Sequence, residues 1–336
     1  MATAETASTH QPLTELPSLD VGDYLAGDKS RLEPLAEQLR YAASEIGFFT
    51  LKNSGIDEAK VERAATATRD FHALPMEAKL KLKIDQNQRG YVPPRATLVK
   101  HSTYNENTKF DSNETFVVST ELDEEKFGVS PGTHFYGHNR WPQEFPEFRP
   151  AIETYMNMMT ALGKSLLPIY ARALGLDEDF FAPHFENNYT YGRFAHYPPN
   201  PNAGENEFGL GPHADTGFMT LLPPANVQGL EILTSDGSWF RVPLLDDELH
   251  INIGMFLSRW TNDFFKATPH RVIANLEGDR YTIPCFVNTA LTARMECLPT
   301  CTGPDNPAKY EPETYWEFFN WYMTNSYPQY EEFHKD

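Results

Sequence analysis

The chain has 336 residues, with 28 Lys or Arg against 47 Asp or Glu, and its formal net charge at pH 7 is −19. A chain of this length can bury a substantial core without disulfides, and its acidic balance is the opposite of the basic surface of a general nucleic-acid-binding protein. The mean hydropathy is −0.52 and no apolar run reaches about 18 residues, which argues against a membrane-spanning helix.

The N-terminal residues are small and polar. We expect residues 1–15 to form a disordered tail, because they have almost nothing to bury, and they lack the basic start and apolar stretch of a signal peptide. The spacing of the three cysteines, Cys285, Cys297 and Cys301, fits neither a disulfide framework nor a zinc motif. This cysteine usage favours a reducing, cytoplasmic location.

Apolar residues recur at helical spacing in several segments. They predict helices over residues 30–46, 57–73, 76–79, 150–174 and 313–322. Asp57 is suited to cap the second helix, and Pro168 is expected to kink the fourth. Residues 48–51 predict a short buried strand between the first two helices, and residues 113–120 alternate as a strand does.

From residue 188 onward the pattern changes to short strand-like runs separated by Gly, Pro, Asn and Asp. The runs cover residues 188–196, 217–222, 230–234, 238–242, 249–253, 270–275 and 280–288. Many short strands without crossover helices favour a sandwich or barrel over a doubly wound sheet. The predicted fold class is therefore mainly β with flanking helices. We expect an N-terminal region, 16–120, to pack on a core, 121–336, as one compact unit.

The most informative motif is His213-Ala214-Asp215, followed later by His270. In a strand, positions i and i+2 point to the same face, so His213 and Asp215 can present an imidazole and a carboxylate to one point. Two histidines and one carboxylate with open coordination positions form the facial triad of non-haem Fe(II) oxygenases. The other interpretation is a chance surface pair, and His72 and His250 are interpreted as packing or surface residues.

A second motif is Arg280-Tyr281-Thr282. Arg280 and Thr282 share a strand face, and a guanidinium fork beside a hydroxyl is suited to a carboxylate. Phe286 lies further along the same face. The alternative for Arg280 is a solvated charge at a turn.

Taken in order, these motifs resemble the 2-oxoglutarate- and Fe(II)-dependent dioxygenases of the isopenicillin N synthase-like superfamily. The resemblance extends over residues 16–288 and is carried by the segments 47–56, 89–93, 212–217, 252–254, 259–262, 266–272 and 280–284. It implies a double-stranded β-helix, or jelly-roll, core with helices packed around it.

The resemblance also implies a set of site residues. Fe(II) is expected on His213, Asp215 and His270. The far carboxylate of 2-oxoglutarate is expected on Arg280 and Thr282, with Tyr197 assisting. Thr282 stands where the family usually has Ser, which keeps the hydroxyl, and Met255 replaces a frequent Asp in what we interpret as a structural position.

The implied reaction is oxidation of a C–H bond of a small molecule by O2, with release of succinate and CO2, in secondary metabolism. The metal and co-substrate carry the chemistry, so no side chain is assigned as general acid or base. The expected partner is a small-molecule substrate, with neither nucleic acid nor membrane involved. Hydroxylation, desaturation and ring formation all remain open.

Substrate is expected to contact the irregular segment and the walls of the pocket. The candidate contacts are Val92, Pro94, Arg95, Phe116, Arg193, Thr216 and Phe286. Arg95 and Arg193 would suit an anionic substrate in an otherwise acidic protein. The aromatic C-terminal helix either covers the pocket as a lid or simply packs on the barrel.

Three alternatives stay open from the sequence. An oxidase of the same superfamily would use the Arg280 pair for the substrate's own anion and would not need 2-oxoglutarate. A jelly-roll binding protein would keep the site without turnover. A zinc hydrolase would also suit two histidines and a carboxylate, although no general base is evident beside the ligands.

Overall fold

The computed structural model describes residues 13–98, 108–130 and 132–326. Most of the predicted tail lies outside these ranges, and so do residues 99–107 of the irregular segment. The helices in the described ranges are α1 (Gly22–Leu25), α2 (Leu32–Tyr41), α3 (Glu58–His72), α4 (Met76–Leu80), α5 (Glu124–Phe127), α6 (Phe148–Ala173), α7 (Met255–Trp260) and α8 (Tyr315–Ser326).

The predicted helices are confirmed, with ends shifted by a few residues. α2 is preceded by a 3-10 turn, Lys29–Arg31, and continues into a π-helical segment, Ala42–Ile46. Asp57 caps α3, because its side chain accepts hydrogen bonds from the amides of Ala59 and Lys60. The C-terminal helix begins later than predicted, at Tyr315, because the preceding two residues form a short strand.

A nine-stranded sheet forms one layer of the described fold. Its strands are β1 (Ser18–Asp20), β2 (Phe48–Lys52), β3 (Gly90–Val92), β4 (Glu114–Ser119), β5 (Asn188–Tyr197), β7 (Met219–Leu222), β10 (Leu249–Ile253), β12 (Arg280–Thr282) and β13 (Cys285–Ala290). Their order is β1-β2-β10-β7-β13-β5-β4-β3, and β12 also pairs with β5. The N-terminal region thus supplies strands at both edges of this sheet; the division at residue 120 stays a prediction.

The second layer is a four-stranded sheet. Its strands are β6 (Phe208–His213), β8 (Leu230–Leu233), β9 (Trp239–Arg241) and β11 (His270–Ile273), in the order β6-β11-β8-β9. A separate pair is formed by β14 (Arg294–Met295) and β15 (Glu313–Thr314). The two larger sheets form the predicted jelly-roll core, and both contribute residues to one cavity.

The long helix α6 covers the main sheet on the side away from that cavity. Its buried face includes Ile152, Tyr155, Met159, Leu166 and Tyr170, which belong to the largest hydrophobic cluster. Pro168 lies within its last turns. Burial of such large apolar side chains is the main favourable term in folding, so this helix fixes the sheet against the N-terminal helices.

The predicted strand 280–288 is interrupted. β12 ends at Thr282 and β13 begins at Cys285, so the prediction of one continuous strand is wrong. Pro284 has no amide hydrogen for a ladder, and the carbonyl of Ile283 accepts instead from the hydroxyl of Tyr155. The alternation of faces nevertheless continues across the break, because Arg280, Thr282, Pro284 and Phe286 all line the cavity.

Candidate active site

His213 and His270 are direct cross-strand partners in the antiparallel pair of β6 and β11. Their ring centroids lie 4.4 Å apart. Nε2 of His213 is 3.7 Å and Nε2 of His270 is 3.6 Å from Oδ1 of Asp215. The three predicted ligands therefore meet at one point at the rim between the sheets, as a His₂-carboxylate cluster.

The backbone sets which nitrogen of each imidazole faces the cluster. Nδ1 of His213 lies 2.9 Å from the carbonyl oxygen of Gly211, and Nδ1 of His270 lies 3.2 Å from that of Thr268. A carbonyl can only accept, so each Nδ1 carries the hydrogen and each Nε2 presents a lone pair. This is the tautomer that a metal ligand needs.

Asp215 does not share the strand of His213, so the i, i+2 argument was wrong in its detail. β6 ends at His213. The backbone then leaves the sheet, because the amide of Met255 donates to the carbonyl of Asp215 and the amide of Phe256 to that of Thr216, at the start of α7. Close backbone approach explains Gly254, where a Cβ would collide with the carbonyl of Gly217.

Two further side chains orient the Asp215 carboxylate. Its Oδ2 accepts hydrogen bonds from Thr220 Oγ1, at 2.6 Å, and from Asn252 Nδ2, at 2.7 Å. Oδ1 is then left to face the two imidazoles. Sequence reasoning missed both orienting residues, although Asn252 lies in a segment that carried the family resemblance.

The electrostatics of the cluster suit a cation. Burial, and then the neighbouring His270, lower the pKa of His213 to about 4, so this imidazole is neutral. Burial alone would raise the pKa of Asp215, but the two histidines and the hydrogen bonds from Thr220 and Asn252 lower it. A neutral imidazole and an ionised carboxylate are the forms that bind a divalent metal.

Arg280 places a buried guanidinium in the same cavity. Its side chain is buried, Nε donates to the carbonyl of Val227 at 3.0 Å, and Nη1 has no hydrogen-bond partner. The guanidinium lies over the ring of Tyr197, 5.1 Å from its centroid, and Thr282 lines the cavity beside them. A buried cation with an unsatisfied donor fits a carboxylate, and burial lowers the pKa of Arg280, which an anion would offset.

The His₂-carboxylate cluster and Arg280 line the same cavity. Its volume is about 110 Å³. Of the predicted substrate contacts, Val92, Arg193, Thr216 and Phe286 line it. Arg95 and Pro94 are exposed at the surface. Phe116 packs in the core, with its ring centroid 4.6 Å from that of Phe71. The structure therefore does not bring these three residues to the cavity wall.

Other parts of the cavity wall include Tyr191, Gln88, Asn113 and Met323, which sequence reasoning missed. Phe286, Tyr191 and Phe319 form a stack, with ring centroids 4.3 Å and 5.7 Å apart along it. Helix α8 forms part of the wall, because it contributes Phe319, Tyr322 and Met323 to the cavity lining. Two buried amides, Gln88 and Asn113, also line it, and each has a side-chain atom with no hydrogen-bond partner. Only long-range packing brings these residues to the site.

A second buried cluster lies apart from the cavity. His72, Glu114 and His196 bring ligand-type atoms within 4.8 Å of one another. His72, which we interpreted as a packing or surface residue, is buried there. His250 is also buried, and burial followed by the charge of Arg280 lowers its pKa to about 4.

A jelly-roll with a buried His₂-carboxylate cluster and an adjoining anion site defines a non-haem metal oxygenase. Comparison with known proteins agrees. The family model for the N-terminal region of the non-haem dioxygenase in morphine synthesis matches residues 16–144, and the model of the 2OG-Fe(II) oxygenase superfamily matches residues 181–289.

Individual relatives extend over nearly the whole chain. Azadirone synthase LFS of Melia azedarach is 32% identical, over 82% of this chain and 83% of that protein. A 2OG-Fe(II) oxygenase family protein from Caulobacter crescentus superposes with a TM-score of 0.76 at 28% identity, over 92% of this chain and 98% of its own. JOX2, solved with 2OG, Fe and JA, is 25% identical, with a TM-score of 0.75 over 94% of this chain and 87% of its own.

The chain therefore belongs to the 2-oxoglutarate- and Fe(II)-dependent oxygenase superfamily. It is an enzyme, a dioxygenase that uses Fe(II), 2-oxoglutarate and O2. The predicted family, fold class and cofactors are confirmed. None of the helices in the described ranges is both long and apolar enough to cross a membrane.

Proposed function

We propose that His213, Asp215 and His270 bind Fe(II), and that Arg280, Thr282 and Tyr197 bind the far carboxylate of 2-oxoglutarate. The enzyme then oxidises a C–H bond of a small molecule, while 2-oxoglutarate is converted to succinate and CO2. The observation that carries this proposal is that a buried, metal-compatible cluster and a buried Arg280 with an unsatisfied Nη1 line the same cavity.

The residues of the chain have separate roles in this reaction. Fe(II), when bound, supplies the activation of O2 that C–H oxidation requires. The two imidazoles and the single carboxylate would hold Fe(II) and would leave coordination positions for the co-substrate. Arg280 orients the co-substrate from its far end, and the apolar walls exclude bulk water.

The other half of the cavity suits a small molecule with an apolar ring and a polar or anionic group. The aromatic stack of Phe286, Tyr191 and Phe319 offers a flat wall, and Arg193 carries a positive charge into the cavity. JOX2 was solved with JA beside its 2OG and Fe, and azadirone synthase is named for a small-molecule product, which supports a small-molecule substrate and a place in secondary metabolism. Val92 and Thr216 complete the proposed contacts.

The remaining partner assignments are part of the same proposal. The net charge of −19 opposes binding to nucleic-acid phosphates, and we expect neither a nucleic acid nor a membrane as a partner. The cytoplasmic location stays a prediction from cysteine usage, and all three cysteines are free thiols.

The experiment is turnover of carboxyl-labelled 2-oxoglutarate, followed as labelled CO2, with anaerobic Fe(II) titration on the same samples. His213→Ala, Asp215→Ala and His270→Ala should each lose turnover and tight Fe(II) binding while the circular dichroism spectrum is retained. His138→Ala, an exposed histidine far in sequence from the cluster, is the matched control and should behave as wild type. Zn(II) should occupy the site without supporting turnover.

Near-normal turnover by any of the three ligand variants at saturating Fe(II) would contradict the assignment. Hydrolysis of a small-molecule substrate by the Zn(II)-loaded protein, with no release of labelled CO2, would instead favour the hydrolase.

A further inference from the structure

The back of the proposed co-substrate pocket carries a buried network of charged side chains. His196 lies at its centre, with Nδ1 2.9 Å from Oε1 of Glu114 and Nε2 2.7 Å from Oδ1 of Asp279. The His196 side chain is 15% exposed and that of Glu114 7% exposed, whereas that of Asp279 is 57% exposed. The imidazole thus bridges an interior carboxylate and a surface one.

This network adjoins the residues assigned to 2-oxoglutarate. His196 directly precedes Tyr197, while Asp279 and Tyr281 flank Arg280. In the antiparallel pair of β5 and β12, Arg280 is opposite Tyr197 and Tyr281 is opposite His196. Successive side chains alternate between the two faces of a sheet, so Tyr197 and Arg280 face the cavity while His196 and Tyr281 lie on the reverse face. The ring of His196 stacks on that of Tyr281 with centroids 4.6 Å apart.

The geometry requires a protonated His196. Both ring nitrogens face carboxylate oxygens, and only the imidazolium form has two N–H donors. Burial lowers the pKa of His196, but the hydrogen bonds with Glu114 and Asp279 outweigh burial and raise it above its ordinary value. In the described part of the chain, four other titratable or charged groups face this site. The ring centroid of His72 lies 5.8 Å from that of His196, and Tyr281 stacks on His196. The charge of Arg69 acts on Tyr281, and Lys79 pairs with Glu114.

The same atoms do not form a second metal site. Oε2 of Glu114 accepts from Nζ of Lys79, at 2.7 Å, and from the hydroxyl of Tyr91. Nε2 of His72 lies 2.9 Å from the carbonyl of Phe194, so this nitrogen donates. A lysine ammonium already neutralises the carboxylate that a metal would need, although Nδ1 of the buried His72 has no hydrogen-bond partner.

We infer that protonated His196 is a positioning residue for the co-substrate pocket. It ties the start of β12 to β5 from behind, and it thereby holds Arg280 and Tyr197 in the orientation that binds the far carboxylate of 2-oxoglutarate. A neutral imidazole can donate to only one of the two carboxylates, so deprotonation removes one of the two hydrogen bonds and weakens this connection. The inference rests on the proposed function, in which Arg280 and Tyr197 bind 2-oxoglutarate.

The sign of the pH dependence follows from the direction of the pKa shift. A pKa raised in the assembled pocket means that the stabilising contact is fully present at low pH and is lost as pH rises through the raised pKa. Affinity for 2-oxoglutarate should therefore fall on the alkaline side of the ordinary histidine pKa of about 6.5.

The test is anaerobic calorimetry of 2-oxoglutarate binding to the Fe(II)-loaded enzyme, with Fe(II) saturation checked separately at each pH. Between about pH 6 and about pH 9, wild-type affinity for 2-oxoglutarate should fall roughly tenfold. The slope of the logarithm of the affinity against pH should correspond to the loss of no more than about one proton. His196→Phe keeps a ring to stack on Tyr281 but cannot titrate, so its affinity should be weak and independent of pH. Asp279→Asn should move the wild-type fall to lower pH.

The matched control is His138→Gln. His138 also has a pKa raised by a carboxylate, Glu121 at 3.0 Å, but it is exposed and its hydrogen bonds do not involve β12. This variant should keep the wild-type profile. Thermal unfolding of each variant separates a loss of fold from a loss of affinity. If His196→Phe does not fold, Asp279→Asn still tests the inference, because it changes only an exposed side chain.

A pH-independent wild-type affinity, or a wild-type profile in both His196→Phe and Asp279→Asn, would overturn the inference while leaving the proposed function standing. Absence of 2-oxoglutarate binding to the wild type at every pH would instead overturn the proposed function itself.

Discussion

Asn252 donates a hydrogen bond from Nδ2 to Oδ2 of Asp215 over 2.7 Å, and so divides the carboxylate into an anchored oxygen and a free one. Thr220 donates to the same Oδ2 from the neighbouring strand, at 2.6 Å. Oδ1 is left for the cluster with His213 and His270. The orientation of the proposed metal ligand is therefore set by two strands, β7 and β10, that carry no ligand themselves.

We predict that Asn252→Ala weakens Fe(II) binding by about 10–100-fold, because partners that orient a metal ligand typically contribute that much. Anaerobic calorimetry or competition with a chelator measures the constant. Asn188→Ala is a suitable control, since the Asn188 amide donates a similar bond, at 2.8 Å to Thr190, within β5. Equal Fe(II) affinity in wild type and Asn252→Ala would mean that Thr220 alone suffices.

We expect Arg280 to determine affinity for 2-oxoglutarate more than affinity for substrate. Removing one partner of a buried charge pair costs about 3–5 kcal/mol, so Arg280→Ala should raise the apparent constant for 2-oxoglutarate at least about a hundredfold. Arg280→Lys should be intermediate, because Lys cannot reproduce the guanidinium fork. Succinate formation against 2-oxoglutarate concentration is the measurement.

Thr282 supplies the internal comparison for that series. Thr282→Ser should be mild and Thr282→Val clearly worse, since only Ser retains the hydroxyl. If Arg280→Ala left the 2-oxoglutarate curve unchanged but shifted the substrate curve, the pair would bind the substrate, as in an oxidase that does not use 2-oxoglutarate.

Arg89 is fully buried and makes hydrogen bonds to backbone carbonyls of four residues. Its two terminal nitrogens donate to Asn87, Thr120, Phe135 and Tyr136, at distances between 2.9 and 3.3 Å. Arg89→Met should lower the free energy of unfolding by at least about 3 kcal/mol, because each stranded buried carbonyl costs about 1–3 kcal/mol. Chemical denaturation measures the change.

An exposed arginine provides the control for this prediction. Arg63 pairs with Glu147 at 3.2 Å but is 54% exposed. Arg63→Met should stay within about 0.5 kcal/mol of wild type. A comparable loss in both variants would show that the buried hydrogen bonds of Arg89 are not the cause.

Asp111 should make stability depend on pH. Burial raises its pKa to about 7, against the opposing effects of hydrogen bonds from Gly211 and Thr97 and the charge of Arg193. Because the folded pKa lies above the unfolded one, its stabilising contribution is complete below about pH 4 and is lost as pH rises to about 7. Asp111→Asn, which does not titrate, should therefore gain stability relative to wild type across that window.

The measurement is the thermal midpoint of both metal-free proteins from about pH 4 to about pH 8. Asp236→Asn is the contrasting control. Hydrogen bonds from Thr234 and then Ser238 lower the pKa of Asp236 to about 2. The difference in thermal midpoint between Asp236→Asn and wild type should therefore be constant above about pH 4. A constant difference for Asp111→Asn as well would show that this carboxyl does not titrate in the window.

Local pattern was enough to predict most of the elements. Helical spacing predicted the long helix within two residues of its observed bounds, Phe148–Ala173, because its buried stripe is encoded by neighbouring turns. Strand alternation placed Arg280, Thr282 and Phe286 on one face, and all three line the cavity. The motif likewise named three residues that converge, although the strand argument for Asp215 was wrong.

What the sequence by itself determined is thus the type of most elements, the candidate residues for binding a metal and a carboxylate, and the family. Only the tertiary structure decided that His270 pairs with His213, that Asn252 and Thr220 orient Asp215, and that α8 lines the cavity with Phe319. These relationships join strands and helices far apart along the chain. Their register depends on which faces are buried together, and no local spacing contains that information.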